Sequence, residues 1–178
     1  MPIKRLKIVD VFLIFGLCFI THFMYEWFPN TLFSIFFPVN ESIWEHMKML
    51  YTAIILAGIF DYVVLKKWIK QTNNFLTSLF VSSILSIPIF LIIYLPFYYL
   101  IGENMILNLL CLFITIIITE IISFYVLRAN DFKNLNYFSI IGIILVYIVF
   151  GILTYYPLPY DLFFDPLMEK YGINTYNI

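Results

Sequence analysis

Charge is what this sequence has least of. Asp, Glu, Lys and Arg together make up 12% of the 178 residues, against 63% hydrophobic and 21% aromatic, and the mean hydropathy is +0.96. Such a chain lies outside the soluble range, which excludes a water-soluble globular domain. The 10 Lys and Arg against 11 Asp and Glu give a net charge of -1. The basic residues fall in short clusters, not along a stripe interleaved with exposed aromatics, which argues against nucleic acid as a partner. Cysteine is nearly missing. Cys18 and Cys111 both sit in apolar segments, where a thiol packs as a small hydrophobe, so neither a disulfide framework nor a cysteine metal cluster is expected. H-E-x-x-H, G-x-S-x-G and Gly-rich phosphate loops are also absent.

What the sequence has instead is long apolar runs. A helix needs ~20 apolar residues to cross ~30 Å of hydrocarbon. Five runs meet that length, at residues 8–28, 47–65, 76–101, 105–127 and 137–156. They use nearly all of the chain. The expected architecture is all-α: a polytopic membrane helical bundle forming one transmembrane domain over residues 1–178, with the bilayer as its surroundings and a tail at residues 157–178. The first run follows Lys4, Arg5 and Lys7 as a signal peptide would. Asp10 interrupts it and no small-x-small cleavage site follows, so a retained helix is expected. Pro88 and Pro96 are expected to bend the third span.

Orientation follows from the basic residues. Lys4, Arg5, Lys7, Lys66, Lys67, Lys70, Arg128 and Lys133 all fall on one side if the spans alternate. The positive-inside rule then places the N-terminus in the cytoplasm and the C-terminus outside. The abundance of Ile, Phe, Asn and Lys points to an AT-rich bacterial genome and hence to a bacterial cytoplasmic membrane. The outward face carries Glu26, Glu41, Glu45, Glu103, Asp161, Asp165 and Glu169, offset only by Lys48 and Lys170.

The most informative segment is Pro38-Val39-Asn40-Glu41-Ser42-Ile43-Trp44-Glu45-His46-Met47-Lys48, which sets polar and ionisable groups between two apolar spans. Charge beside lipid is costly and needs water, a partner or a function. Ser42 and Glu45 have the S-x-x-E spacing of a capping box, which accounts for both structurally. Asn40, Glu41 and His46 are left as candidate ligand-binding residues, with Glu45 retained among them because it shares a helix face with Glu41. His22 and Glu26 are four apart on one helix face, with Tyr25 beside them, an arrangement that suits a metal or a His-carboxylate hydrogen bond. The ordinary account of these residues is a polar pair in an interfacial aromatic belt. His22, Glu26 and His46 form the candidate ligand set for a divalent metal such as zinc. The aromatic, proline-rich tail is expected to fold back over this face and bring Asp165 to His22 or His46. Within the bundle, Glu120 is a further candidate, having no basic residue within two turns. Asp61 reads as structural, within reach of Lys66 and Lys67.

Three matches carry a resemblance to a known family: His22 to Trp27, fitting H-x-x-Y-x-W; the segment above, fitting P-V-N-E-S-x-W-E-H-x-K; and Asp165-Pro166 with Tyr171-Gly172-Ile173. The chain resembles an uncharacterised family of small bacterial integral membrane proteins, grouped as a domain of unknown function. That family typically has Thr-Gly where this chain has Met168-Glu169. The resemblance implies where a site lies and no particular chemistry.

Function stays open among three classes at this level. The first is a membrane protein with an outward-facing polar pocket for a small ligand or cation. The second is an intramembrane metal-dependent hydrolase acting at the outer leaflet. The third is a non-catalytic interaction or accessory subunit with a protein partner or a second copy.

Overall fold

The computed structural model describes residues 3–70 and 73–173 of the chain. It contains α1 (Ile3–Trp27), α2 (Thr31–Phe36), α3 (Ile43–Val64), α4 (Phe75–Ile101), α5 (Met105–Arg128) and α6 (Leu135–Tyr155), followed by the two-residue strands β1 (Phe164–Asp165) and β2 (Lys170–Tyr171). All the helices but α2 are long and apolar enough to cross a membrane, with α3 prolonged to Ile69 by a π turn. The expected five-span bundle is the observed one.

Local sequence sets the helix ends. Ser42 starts α3 by accepting the Glu45 amide on its hydroxyl, and Asn104 starts α5 by accepting that of Leu107. Asn30 caps α2 in the same way. At six residues α2 is too short to show a helical period, so the sequence presents it only as loop. Capping also moves α3 to a start at Ile43, ahead of the expected 47. α4 runs as one helix through Pro88 and Pro96.

The spans pack on small and hydroxylated side chains. Ser78, Ser82, Ser83 and Ser86 of α4 and Thr115, Thr119 and Ser123 of α5 are all buried. Their size lets the two backbones approach, and the hydroxyls of Ser78 and Ser123 bond each other at 2.8 Å. On the face that carries the N-terminus, Asn74 adopts a positive φ of 58°. Its amide donates to the carbonyls of Val126, Ala129 and Asn130, tying the loop before α4 to the loop after α5. Outside, α6 exposes Ile141, Ile144, Leu145, Ile148 and Ile152, the surface that lipid would cover.

The opposite face is held by one buried ion pair. Lys48 donates to Glu45 at 2.5 Å, to the Ser34 carbonyl at 2.7 Å and to the Thr154 hydroxyl at 2.8 Å. Thr154 in turn donates to Glu45 at 2.9 Å, and the Val39 amide reaches the same carboxylate at 3.1 Å. One neutral network therefore joins α2, α3, α6 and the segment before α3. The capping box is only half made: Glu45 turns to Lys48, and the Ser42 amide goes to Asn40.

The tail folds back over this face, closing on β1 and β2. Asn40 donates to the Gly172 carbonyl at 3.0 Å, and the Ile173 amide donates to Thr154 at 3.0 Å. Gly172 has a φ of 59°, and a Cβ there would lie 2.5 Å from the Thr154 carbonyl oxygen, so only glycine fits. Residues 174–178 of the expected tail lie outside the described residues.

Two stability outcomes follow. Lys48→Met leaves the Glu45 carboxylate buried without its partner and should cost about 3–5 kcal/mol, with Glu45→Gln added to it recovering part of the loss. Thermal unfolding in detergent, compared across the single and double variants, checks this. Glu169 sits between the strands at a φ of 51°, the left-handed region, where the related pattern has Gly. Glu169→Gly should raise the thermal midpoint by relieving up to about 1 kcal/mol of backbone strain, less the added entropy of the unfolded chain.

Candidate functional site

The network that buries Glu45 and Lys48 leaves their neighbours Glu41 and His46 facing the other way, toward α1. Glu41 stands between two imidazoles, with His22 Nε2 at 3.4 Å from one carboxylate oxygen and His46 Nε2 at 3.5 Å from the other. The two rings stack at 5.4 Å, and one donor atom from each of the three residues lies within 4.8 Å of the others. His22 comes from the end of α1, His46 from the first turn of α3, and Glu41 from the link between α2 and α3.

Position and tautomer are both set by backbone. The Nδ1 of His46 lies 2.9 Å from the Ser42 carbonyl, one turn earlier in the helix. A carbonyl only accepts, so Nδ1 donates, which leaves Nε2 facing Glu41. A cation between that nitrogen and the carboxylate, metal or proton, makes the arrangement favourable. Such a hydrogen bond on the remote nitrogen is the usual partner of a metal-binding imidazole. Glu41 is fixed through its own amide, which donates to Asp165 at 3.2 Å. The other oxygen of buried Asp165 accepts the amides of Leu167 and Met168. The tail thus aims Glu41, which in turn meets both histidines.

Two donors each ~2.0–2.1 Å from zinc and separated by the tetrahedral angle stand ~3.3–3.4 Å apart. The 3.4 and 3.5 Å separations run to different oxygens of Glu41, and one donor atom from each residue lies within 4.8 Å of the others, so the three side chains would draw closer together on a metal. Three protein ligands leave the fourth position of such a site open. It opens on a cavity of about 500 Å³, lined by His22, Glu41 and His46 together with Cys18, Phe19, Phe23, Met49, Glu103, Asn108 and Leu112. A smaller adjoining cavity repeats Glu41, His46, Glu103 and Asn108 and adds Tyr94, Tyr98 and Phe164.

The structure sorts the candidates. His22, Glu41 and His46 converge. Asn40, Glu45 and Asp165 frame them: Asn40 through Ser42 and Gly172, Glu45 through Lys48, Asp165 through the Glu41 amide. Glu26 is exposed, and neither it nor Tyr25 lines the cavity, so Glu41 takes the place expected for Glu26. Helical spacing pairs His22 with Glu26 in one dimension, but the loop folds back and presents Glu41 to both rings. Glu103 stands out in the sequence only as one of several acidic residues on the outward face, and Asn108 not at all. The only signal for them is a polar residue on either side of the α5 start. Glu120 lies at the other end of the bundle, where it meets Lys7 of α1 at 3.1 Å, a partner 113 positions away that counting along one helix does not find.

Because Asp165 aims Glu41 through one amide, a metal held by Glu41 and the two histidines should bind roughly 10- to 100-fold more weakly in Asp165→Ala. Exposed Asp161→Ala should leave it unchanged. Competitive titration of the purified protein with a zinc indicator checks both.

No curated protein and no solved structure matches the chain. A model described as "Family of unknown function (DUF6512)" matches residues 2–173 of this sequence, and the chain belongs to that family.

Proposed function

We propose that this is a multi-pass membrane protein whose His22, Glu41 and His46 bind a divalent transition metal, zinc above all, at the head of a polar pocket facing the outside of the cell. The observation that carries the reading is the convergence of His22 and His46 on the Glu41 carboxylate. The Nδ1 of His46 is committed to the Ser42 carbonyl, which leaves its Nε2 facing Glu41, 3.5 Å away. Nitrogen and carboxylate donors together suit zinc and its neighbours better than magnesium or calcium, which prefer oxygen alone. The outward orientation rests on Lys4, Arg5, Lys66, Lys67, Lys70, Arg128 and Lys133 sharing the face opposite the pocket.

The pocket favours hydrolysis of an amphipathic substrate over simple storage of the ion. It reaches the lipid-facing surface between α1 and α5, where Phe19, Phe23 and Met105 are exposed. A lipid-like molecule could enter there sideways, keeping its chain on those residues and its polar end beside Glu103 and Asn108. When bound, zinc supplies Lewis acidity and a water acidic enough to act as a nucleophile near neutral pH. Glu41 and the two histidines would hold the ion, and Glu103, which lines the same pocket, would take up or return a proton.

Elemental analysis of protein purified without chelator or polyhistidine tag tests the proposal. The expected result is one zinc per chain, with His22→Ala, Glu41→Gln and His46→Ala each losing it while remaining folded. A metal-free protein whose thermal midpoint does not move on zinc addition would overturn it.

A further inference from the structure

The other end of the bundle holds a second cluster of charge that the outward pocket does not use. Lys7 of α1 is buried, and its ammonium contacts three carboxylates: Asp10 at 3.1 Å, Glu120 of α5 at 3.1 Å, and Asp61 of α3. All four side chains are more than nine-tenths buried. Lys7 therefore does not serve as a surface charge of the N-terminal face, and Asp61 pairs with it and not with Lys66 or Lys67.

Within this protein the Glu45 and Lys48 pair shows what a structural lock looks like: one cation, one anion, every oxygen partnered. The Lys7 cluster departs from that in two ways. One ammonium against three carboxylates leaves a formal charge of -2, far more negative than burial in a bundle tolerates without compensation. In addition, the Oδ1 atoms of buried Asp10 and Asp61 accept from no donor among the described residues, and the two carboxyls are close enough to hydrogen-bond each other when one holds a proton. Both residues line a void of about 10 Å³, space for one water-sized occupant. The void is walled on the α4 side by the hydroxyl-bearing Ser78 and Ser82 and on the α5 side by Ser123. Oxygen is its only free donor type, and α4 contributes no ionisable group to it.

We infer that the Lys7–Asp10–Asp61–Glu120 cluster is an exchangeable site for a small monovalent cation, sodium or protons, held on the free oxygens of Asp10 and Asp61. Both occupants answer the same excess of buried negative charge, and both fit a water-sized void. Magnesium does not, because it keeps several of its own waters. The site is distinct from the zinc pocket. Asp10 and His22 are twelve residues apart on α1, about 18 Å along the helix axis. Between them the buried apolar side chains of Ile14, Ile54, Leu112 and Ile116 close the bundle.

The test uses the full chain in lipid nanodiscs, read by thermal midpoint as sodium replaces choline at constant ionic strength. A sodium occupant predicts a saturable rise in wild type, opposed by acid and absent in Asp10→Asn. A proton occupant predicts no sodium response, and instead an infrared band of protonated carboxyl at neutral pH that shrinks in Asp10→Asn and in Asp61→Asn. Having two variants keeps the test valid if one does not fold, and zinc content should be unchanged in either, whatever the fate of the outer site. Wild-type protein showing neither the sodium response nor a protonated-carboxyl band would overturn the inference.

Discussion

Lipid offers no partner to a buried charge, and that constraint organises this molecule. A charge carried into the bundle has to be matched by side chains or backbone from other segments, so each buried charge becomes a tie between helices. The pair of Glu45 and Lys48 is the clearest case. It draws α2, α3, α6 and the segment before α3 together through one neutral network. Because those side chains turn inward, their neighbours Glu41 and His46 turn toward α1. A structural requirement of the bundle thus creates the convergence of Glu41 with His22 and His46.

The same constraint explains the tail. Asp165 is fully buried, and three backbone amides, of Glu41, Leu167 and Met168, donate to its carboxylate. Asn40 and Gly172 close the other side of that turn. Residues at opposite ends of the sequence therefore position a single carboxylate. A rigid frame of this kind is what a metal ligand needs, since a displacement of a fraction of an ångström changes affinity.

Most of the fold was legible in the sequence, because spanning the membrane demands uninterrupted apolar length and little else produces it. Span edges moved by up to five residues where capping or a polar first turn extended a helix, as at α1 and α3. The focus on residues 38–48 was also legible from the density of polar groups beside lipid. The partner choices were not. Helical spacing pairs His22 with Glu26, the capping pattern pairs Glu45 with Ser42, and proximity pairs Asp61 with Lys66. In two of the three a residue distant in sequence competes better, Glu41 and Lys7; Glu45 turns instead to Lys48, three residues on in α3, which Ser34 and Thr154 of other helices hold in place. One-dimensional spacing reports only contacts within a helix, whereas the cost of burying charge is met between helices. The left-handed conformation of Glu169 lies beyond the sequence for a similar reason, being imposed by the closure of β1 on β2.

The measurement that bears most directly on the outer site is X-ray absorption at the zinc K edge on the purified, zinc-loaded protein. The account predicts a four-coordinate first shell of two imidazole nitrogens and oxygen at ~2.0–2.1 Å, with no bound zinc to measure in His46→Ala. A six-coordinate shell of oxygen without imidazole scattering would contradict it, leaving Glu41 and its two histidines as a hydrogen-bonded frame and no metal site.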